Sequence, residues 1–535
     1  MSKGMVTAAQ PEAVEAGVEM LKAGGNAVDA AIATALTQTV VDPFMCGIAG
    51  FGSMHLYLPS RTTHHCLDFH ARAPGAVTDD MWADKLVAEC EDGFGFILEG
   101  RVNEVGYQAI ATPESLAAYA SALARYGTKS LAEVMAPAIA YAEEGYMVRP
   151  HMRGFWTQAE PAGRVAHTEY LKGSPATART YLDADGGLLP LGAVIRNPDM
   201  ARTYRRIAEH GAEDFYRGDI AHTIARDMAE HGGLISLEDL GNCGPEDTGP
   251  LWTEYRGYRI ASNPPPGGGV MVLQMLNILE NFDLAAMGHN SPDYIRTVAE
   301  AMKIATVDKD AHVGDPRFVD VPLDRLLSKP YAAECAGRIA RGEKTHVPRL
   351  VKGADQKETT QLCVVDGQGD IVSMTHSLGM PSGVTTDGLG FIYNGCMGVF
   401  DPRPGRTGSL APGKARFTSM APTIVFRGEE PVLAIGAPGG TYIAMGVLQG
   451  ILNVLDFGMS AAEAVAAPRF SATSDIIEIV NRIPRSVQAA LERDGYAIRR
   501  YPVNYHFAGV HAIRLTANGL DGGADPGRDG MALEA

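Results

Sequence analysis

The sequence predicts an α+β fold in which strand pairs pack against buried helices. Residues 27–41, AVDAAIATALTQTVV, are small and apolar on nearly all sides, which is typical of a helix buried against a sheet. Between residues 115 and 280, several segments with 3.6-residue apolar periodicity end in glycine. Beyond about residue 357 the pattern changes to short alternating strands. We therefore expect a helix-rich first part and a strand-rich last part.

The N-terminal segment is predicted to form two helices followed by a strand pair. Apolar residues recur near helical spacing over residues 11–23, and Gly24-Gly25-Asn26 can end that helix before the second one begins. The segment CGIAGFGSMHLYLP passes from a glycine-rich loop into a strand, and HHCLDFHARAP is its expected hairpin partner.

The middle of the chain is predicted to be mostly helical. The helical segments are SLAAYASALARYG, SLAEVMAPAIAYAEEG, NPDMARTYRRIAEHG and AHTIARDMAEHGG, and YRGYRIASNPPPGGGVMVLQMLNILE is predicted as strand, loop and helix. The polar residues 349–358 are expected to form an exposed loop. The last third is predicted to hold the strands TQLCVVD, DIVSMTH, PTIVF, PVLAIGA and GVHAIRL, with two helices near residues 440–456 and 460–467.

Composition excludes several classes of protein. The 535 residues carry a formal charge of -17 and no Lys/Arg-rich run, so neither nucleic acid nor an anionic membrane is an expected partner. No signal-peptide pattern and no run of about 18 apolar residues occurs, which predicts a cytoplasmic protein, or a periplasmic or secreted one if an export signal was removed. The seven cysteines lack CxxC spacing, so neither a disulfide framework nor a metal site is predicted.

The stretch KETTQLCVVDGQGDIVSMTHS places two threonines at the start of a predicted hairpin. Threonine is a poor nucleophile unless a base is held against its hydroxyl, and a free α-amine does this for an N-terminal threonine. The reference pKa of such an amine, about 7.7 to 8.0, suits proton exchange near neutrality. If the Thr359 hydroxyl attacks the Glu358 carbonyl, an ester forms, and its hydrolysis releases fragments 1–358 and 359–535.

Two other segments could complete a catalytic site. In LAIGAPGGTYIAMG, Gly439 and Gly440 would present backbone N–H groups at a helix N-terminus, which is the geometry of an oxyanion hole. RFTSMAPTIVF places Thr418 and Ser419 just before a strand. Each feature also has a structural interpretation, because Thr-Thr before a strand is ordinary β-propensity and Gly-Pro-Gly-Gly can be a tight turn.

Taken together, the segments resemble the gamma-glutamyltransferase (glutathione hydrolase) family of N-terminal-nucleophile hydrolases. The resemblance covers nearly the whole chain in order, through GMVTAAQPEAVEAGVEMLKAGGNAVDAA, LDFHARAP, PPPGGG, LNILENFD, TTQLCVVDGQGDIVS, SMAPTIVF, GAPGGTYI and GGADPGRDGMA. It implies a four-layer αββα sandwich formed jointly by a large subunit, residues 1–358, and a small subunit, residues 359–535, after self-cleavage.

The resemblance also implies roles for individual residues, and no cofactor. Thr359 would be nucleophile and base, with Ser377 in the place of a second threonine that hydrogen-bonds it, and Thr360 would be a plain strand residue. The remaining implied residues are Gly439 and Gly440 as oxyanion hole, and Thr418 and Ser419 as contacts to the acyl donor.

Three positions depart from the family pattern. His70 stands where an arginine clamps the donor α-carboxylate, Val399 where an aspartate holds its α-ammonium, and Gly379 where an asparagine lies near the second threonine. An ammonium buried against valine would be left unpaired, at a cost of several kcal/mol. Arg72 lies two residues beyond His70, on the same face of an extended segment, and could meet a carboxylate instead. His70 could equally be a packed structural histidine.

The resulting hypothesis is an autoprocessing amidohydrolase that acts on a small acyl donor. The donor would bear a carboxylate but no α-amino group, or an α-amino group bound differently, and water or an amine would be the acceptor. The cleaved subunits would form a heterodimer, or a dimer of heterodimers. Two alternatives stay open: a genuine gamma-glutamyltransferase with a rebuilt clamp, and a catalytically silent scaffold or binding protein.

Overall fold

A computed structural model describes residues 4–159, 161–348, 359–503 and 506–535. Glu358 and the loop predicted at residues 349–358 lie outside the described residues, whereas Thr359 lies inside them.

Strands occur mainly near the N-terminus and in the last third of the described chain. They are β1 (Gly4–Ala9), β2 (Phe51–Leu58), β3 (Thr63–Phe69), β4 (Leu86–Glu89), β5 (Phe96–Leu98), β6 (Tyr146–Met147), β7 (Val194–Ile195), β8 (Glu246–Thr248), β9 (Leu251–Tyr255), β10 (Tyr258–Ser262), β11 (Thr360–Asp366), β12 (Ile371–Ser377), β13 (Thr423–Arg427), β14 (Glu430–Gly436), β15 (Phe470–Ser471), β16 (Ile476–Val480), β17 (Ala497–Tyr501), β18 (His511–Thr516), β19 (Gly519–Ala524) and β20 (Gly530–Glu534).

Helices fill most of the middle of the chain, as predicted. They are α1 (Pro11–Lys22), α2 (Ala27–Val41), α3 (Ser115–Tyr126), α4 (Leu131–Glu144), α5 (Pro150–Trp156), α6 (His167–Leu171), α7 (Pro175–Tyr181), α8 (Pro198–His210), α9 (Glu213–Tyr216), α10 (Asp219–Glu230), α11 (Leu237–Gly241), α12 (Gly269–Leu279), α13 (Leu284–Met287), α14 (Pro292–His312), α15 (Leu323–Leu326), α16 (Lys329–Ala340), α17 (Ile443–Leu455), α18 (Ala461–Ala466) and α19 (Arg485–Arg493). Among the described helices, none combines the length and the apolar character needed to cross a bilayer.

Two antiparallel sheets form the centre of the molecule. One has seven strands in the order β20-β1-β11-β12-β2-β3-β8, and the other has six in the order β19-β18-β14-β13-β10-β9. A core between the sheets joins Cys363, Val365 and Ile371 of the first to Ile424 and Ala434 of the second. Two larger cores lie on the outer faces, one beneath α1, α2, α4 and α8 and the other beneath α12, α14 and α17. The layers are therefore helix, sheet, sheet and helix, which confirms the predicted αββα sandwich.

Helix α2 anchors the first helical layer, and the sequence explains both its start and its burial. The Asn26 side chain accepts hydrogen bonds from the N–H groups of Val28 and Asp29, and the Asp29 carboxylate accepts one from the Asn26 N–H in return. This capping box satisfies amide groups that a helix N-terminus leaves without partners. All fifteen residues of α2 are buried, as their small apolar side chains predict.

The predicted hairpin is formed by β11 and β12, and its register divides its side chains between two environments. Thr360 pairs with His376 across the ladder, and Leu362 pairs with Met374. Because successive strand side chains point to opposite faces, Thr360 and Leu362 face the helical layer of α2, whereas Thr359, Gln361 and Cys363 face the second sheet.

One helix in the last third was not predicted. The sequence indicates two helices in that region, and the structure adds α19. Leu491 is the one buried residue of α19, so this nine-residue surface helix contains few large apolar side chains from which a helix could be predicted.

Candidate active site

The structure brings the predicted nucleophile Thr359 and its predicted partner Ser377 together. Their hydroxyl oxygens lie 3.1 Å apart, and the Gly379 N–H donates to Ser377 Oγ at 2.8 Å. Thr359 is buried, and its φ of 133° lies in a region that residues with a side chain rarely adopt. Such strain at the head of a strand is typical of functional positions. The hydroxyl of Ser377 is thus fixed by a backbone donor and can itself donate to Thr359.

Thr360 lies on the opposite face of the hairpin, toward α2, and belongs to a continuous chain of hydrogen bonds. The Gln38 amide nitrogen donates to Thr360 Oγ1 at 2.9 Å and to the Ala9 carbonyl at 3.1 Å. The Gln38 carbonyl oxygen therefore accepts from His376 Nε2 at 2.9 Å, which leaves His376 Nδ1 to accept from the Tyr119 hydroxyl at 2.7 Å. This arrangement needs a neutral imidazole, and burial lowers the pKa of His376 to about 3.

Gly439 and Gly440 follow β14 with the backbone that only glycine adopts easily. Their φ values are 134° and 54°, and a Cβ added at Gly439 would lie 2.8 Å from the Ala508 Cα. In the described part of the chain, the amides of these two glycines have no hydrogen-bond acceptor. Strand β14 packs closely against the start of β11, because a Cβ at Gly436 would lie 2.4 Å from the Gln361 amide. The loop that carries these two amides thus follows β14 next to the start of β11, which Thr359 directly precedes.

Thr418 and Ser419 are buried in a segment that docks on the PPPGGG loop. The Thr418 N–H donates to the Pro266 carbonyl at 2.9 Å, and the Gly268 N–H donates to the Met420 carbonyl at 2.8 Å. A Cβ at Gly268 would lie 2.4 Å from the Ser419 carbonyl oxygen, so this close approach requires glycine. Within the residues described, no hydrogen bond joins either side chain to Thr359.

His70 and Arg72 line one enclosed cavity of about 190 Å³, as their predicted common face requires. His70 is 4% exposed, and its ring nitrogens have no hydrogen-bond partner among the described residues. Its Nε2 lies 3.6 Å from a carboxylate oxygen of Asp68, which the Ser53 and Thr248 hydroxyls also contact. The cavity is therefore polar and suited to a small ligand or ordered water.

The Arg72 guanidinium is engaged within the protein. It donates to Glu246 at 2.8 Å and lies 3.5 Å from Glu114. Burial raises the pKa of Glu114, an effect that the neighbouring Arg72 charge opposes. A substrate carboxylate would have to compete with both glutamates. Across the described residues, no group of three or more His, Cys, Asp or Glu side chains is placed to hold a metal ion.

Val399 lies in a different and mainly apolar surrounding. It lines a small cavity together with Phe94, Phe96 and Met380. Glu104 also borders this cavity, but its carboxylate accepts from the Val165 N–H at 2.7 Å and pairs with Arg101 at 3.1 Å. The position that would hold a donor ammonium is thus occupied by an apolar side chain.

Arg416, which the sequence analysis did not single out, lies beside Gly379. A Cβ at Gly379 would lie 2.7 Å from an Arg416 guanidinium nitrogen and 2.8 Å from Cys396 Sγ. The guanidinium carbon is 5.0 Å from the Phe51 ring centre and 5.1 Å from that of Phe94. Burial raises the pKa of the Cys396 thiol to about 11, against the opposing effect of the Arg416 charge. The one signal in the sequence is that Arg416 precedes Thr418 and Ser419 by two and three positions.

Comparisons with known proteins agree with this arrangement. The sequence profile described as Gamma-glutamyltranspeptidase matches residues 13–535. The chain is 39% identical over 529 residues to the Acylase ACY 1 proenzyme of Pseudomonas sp. (strain V22), covering 98% of this chain and 92% of that protein. It is 32% identical over 555 residues to the Glutathione hydrolase proenzyme of Bacillus subtilis (strain 168), covering 99% and 91%.

Solved structures give the same result. Cephalosporin acylase from Bacillus halodurans matches with a TM-score of 0.87 at 31% identity, over 99% of this chain and 96% of that one. A chain of Helicobacter pylori gamma-glutamyltranspeptidase matches with a TM-score of 0.55 at 32% identity, over 62% and 90%. Since the profile covers nearly the whole chain and relatives above 30% identity match it end to end, the chain belongs to the gamma-glutamyltranspeptidase family.

Proposed function

We propose that the protein is an autoprocessing amidohydrolase whose nucleophile is Thr359. The observation that carries this proposal is the 3.1 Å contact between the Thr359 and Ser377 hydroxyls at the head of β11. The positive φ of the buried Thr359 supports this role, because backbone strain clusters at functional positions, and its neighbour Thr360 faces the opposite side of the sheet.

Maturation would begin with attack of Thr359 Oγ on the Glu358 carbonyl carbon. The peptide bond between the two residues breaks, the acyl group moves from nitrogen to oxygen, and Thr359 gains a free α-amine. Water then hydrolyses the ester, leaving a carboxylate on Glu358 and the hydroxyl on Thr359. The proenzyme names of the relatives support such a step. The products, residues 1–358 and 359–535, would stay associated as a heterodimer.

Turnover would use the same hydroxyl against an amide substrate. Thr359 Oγ attacks the carbonyl carbon while the α-amine takes up the hydroxyl proton, and Ser377 holds the oxygen in place. Negative charge develops on the carbonyl oxygen, where the N–H groups of Gly439 and Gly440 can stabilise it. The proton passes to the departing amine, the acyl group stays as an ester on Thr359, and water or an acceptor amine releases it.

The donor would carry a carboxylate and no α-ammonium group. Support comes from the apolar surroundings of Val399, which offer an ammonium little compensation for lost hydration. The name of the 39% identical acylase also supports this donor. The second candidate function is a gamma-glutamyltransferase that binds a γ-glutamyl donor through a rebuilt clamp, and the names of the glutathione hydrolase relatives favour it.

The test combines protein chemistry with matched substrates. Mass measurement under denaturing conditions, followed by N-terminal sequencing, should find two fragments, the smaller beginning Thr359-Thr360-Gln361. The matured protein should then hydrolyse a glutaryl anilide faster than a γ-glutamyl anilide, which differs by the α-amino group. A preference for the γ-glutamyl anilide would favour the second candidate. A stable uncleaved chain that hydrolyses neither anilide would instead indicate a silent scaffold.

A further inference from the structure

The two candidate oxyanion amides are oriented by the carbonyl groups that share their peptide bonds. The carbonyl and the N–H of a trans peptide bond lie in one plane and point in opposite directions. The Gly509 N–H donates to the Pro438 carbonyl at 3.1 Å, and that peptide bond carries the Gly439 N–H. The Tyr442 N–H donates to the Gly439 carbonyl at 3.1 Å, and that peptide bond carries the Gly440 N–H. Each amide is therefore oriented by a hydrogen bond on the opposite edge of its own peptide plane.

Tyr442 is also held through its side chain. The Tyr442 hydroxyl donates to Glu478 Oε2 at 3.0 Å, and the Tyr501 hydroxyl donates to Glu478 Oε1 at 2.7 Å. Glu478 is 4% exposed, so these donors replace hydration that its carboxylate has lost. The Glu478 carboxylate thus fixes the phenol of the residue whose backbone N–H orients the Gly440 amide.

The small sheet β15-β16-β17 supplies this support. It is separate from the two central sheets. Its strands β16 and β17 are parallel, with Glu478 paired to Arg499 and Val480 paired to Tyr501. Because alternate residues of a strand share a face, Glu478, Arg499 and Tyr501 project from the same side of this sheet. That polar side meets Tyr442 at the start of α17.

Aromatic packing joins the supports of the two amides. The ring centre of Phe507 lies 5.1 Å from that of Tyr442 and 5.5 Å from that of Tyr501. The Phe507 carbonyl accepts from Nε of the buried Arg469 at 3.3 Å. Phe507 lies two residues before Gly509, whose N–H holds the other peptide plane. The groups that orient the two amides therefore form one packed unit.

We propose that Glu478 is a positioning residue that holds the oxyanion hole in its active geometry through the Tyr442 hydroxyl. The proposal rests on the function proposed above. Glu478 restricts the orientation of the Gly440 amide before charge develops on the substrate carbonyl oxygen. A donor that is already in place stabilises this charge without reorganising during the reaction. Because the charge exists only in the transition state, loss of the restraint should lower kcat and leave KM nearly unchanged.

The experiment compares two tyrosines that donate to carboxylates at opposite ends of α17. Tyr442 directly precedes the helix, whereas Tyr255 donates at 2.8 Å to Asp456, which directly follows it. Both tyrosines are buried. In self-cleaved protein, Tyr442→Phe should lower kcat about 10- to 100-fold for whichever of the two anilides the enzyme prefers, as expected when a transition-state contact is misplaced by up to about 1 Å. Tyr255→Phe loses the same kind of hydrogen bond and should keep kcat.

A double-mutant cycle tests whether Glu478 acts through Tyr442. Glu478→Gln should lower kcat in the wild-type background and have no further effect in the Tyr442→Phe background, because both changes alter the same contact. Additive losses would overturn the proposal, as would equal kcat values for Tyr442→Phe and Tyr255→Phe or a rise in KM without a fall in kcat. If Tyr442→Phe does not self-cleave, Glu478→Gln and Tyr255→Phe supply the comparison of kcat and KM.

Failure of the proposed function would look different. Wild-type protein that hydrolyses neither anilide, or a Thr359→Ala variant as active as wild type, would remove the reaction itself and the role of Glu478 with it. Activity that depends on Thr359, with the same kcat in wild type, Tyr442→Phe and Glu478→Gln, would retain the function and reject this residue alone.

Discussion

The two faces of the β11–β12 hairpin differ in what their hydroxyl groups do. On the face toward α2, Thr360 belongs to a chain through Gln38, His376 and Tyr119 in which each hydrogen bond determines the direction of the next. On the face toward the second sheet, the Thr359 hydroxyl has one hydrogen-bond partner among the described residues, Ser377, and the Thr359 backbone has a positive φ. The two threonines are adjacent in the sequence, so composition cannot explain the difference.

For the proposed nucleophile, this difference would fix the position of Thr359 while leaving its hydroxyl free to react. The face toward α2, called the outer face below, fixes the hairpin through a network of hydrogen bonds. Such a buried polar network stabilises a fold only when its hydrogen bonds are complete. The face toward the second sheet, called the inner face below, is held in position by the same strands. On this face the Thr359 hydroxyl oxygen would be available for attack. Changes on the inner face should therefore act on rates, and changes on the outer face on stability.

The largest expected effect comes from Thr359→Ala. Without the hydroxyl, neither the Glu358–Thr359 bond nor an amide substrate can be attacked, and removal of a nucleophile lowers turnover by at least about 10⁴-fold. Mass measurement should find one chain of 56.8 kDa. Cleavage at the same bond in this variant would contradict the assignment of the nucleophile.

Gly439→Ala should lower kcat by about 10²- to 10³-fold, the effect of losing one oxyanion donor. The added methyl group would lie 2.8 Å from the Ala508 Cα, so the Gly439 amide must move. Gly458→Ala is the matched control, since Gly458 also has a positive φ but has open space around it. Equal kcat values for the two variants would argue against an oxyanion role.

Ser377→Ala should lower kcat by about 10- to 100-fold, because a hydrogen bond to a developing charge contributes about 1.5 to 3 kcal/mol. Ser377→Thr keeps the hydroxyl and should retain most of the activity. Steady-state kinetics on matured protein distinguish the two variants. If alanine performs as well as threonine, the 3.1 Å contact does not assist the reaction.

On the outer face, His376 should make stability depend on pH. Its pKa in the folded protein, about 3, lies below the value of about 6.5 in the unfolded chain, so the unfolded state takes up the proton first. This contribution is complete above pH 6.5 and is lost as pH falls toward 3, at about 2 kcal/mol between pH 7 and pH 5.

Urea unfolding at both pH values, in the uncleaved Thr359→Ala background, compares this protein with its His376→Gln variant. Other buried histidines contribute equally to both proteins. The difference between the two proteins in the change of the free energy of unfolding from pH 7 to pH 5 therefore isolates His376. An equal change in the free energy of unfolding between the two pH values in both proteins would show that His376 has the same pKa in the folded and unfolded states.

The smallest expected effect is that of Thr360→Val. It removes the acceptor of one Gln38 hydrogen bond and should lower the free energy of unfolding by about 1 kcal/mol. Self-cleavage, followed by gel electrophoresis over time, should be unaffected. A block of self-cleavage by this change would show that the two faces are not independent.

The sequence was sufficient wherever local pattern decides structure. The continuous small apolar run of α2 and the turn DGQGD between two alternating strands predicted the helix and the hairpin, because each depends on neighbours in the sequence. The register of the hairpin then places Thr359 and Ser377 on one face, so their contact follows from strand alternation once the hairpin is accepted.

Arg416 could not be predicted in this way. Its ring partners Phe51 and Phe94 lie more than 300 positions away, and no periodicity connects them. Nor does the sequence show that Arg72, which lies two residues from His70, is engaged by Glu114 and Glu246. The surroundings of both arginines depend on how two extended segments pair, and the bridge between Arg72 and Ala415 appears only in three dimensions.

The position of strand β1 determines how the two proposed fragments can fold and assemble. The strand belongs to residues 1–358 but lies between β11 and β20 of residues 359–535, with five residue pairs on each side. If the chain is cut before Thr359, as proposed, neither fragment can dissociate unless the sheet unfolds, and a dissociated fragment can refold into the sheet only by binding its partner from solution. The mature protein would thus keep an arrangement that formed while its two fragments were one chain. The lifetime of the folded protein would be set by its rate of unfolding rather than by a reversible folding equilibrium of the two fragments.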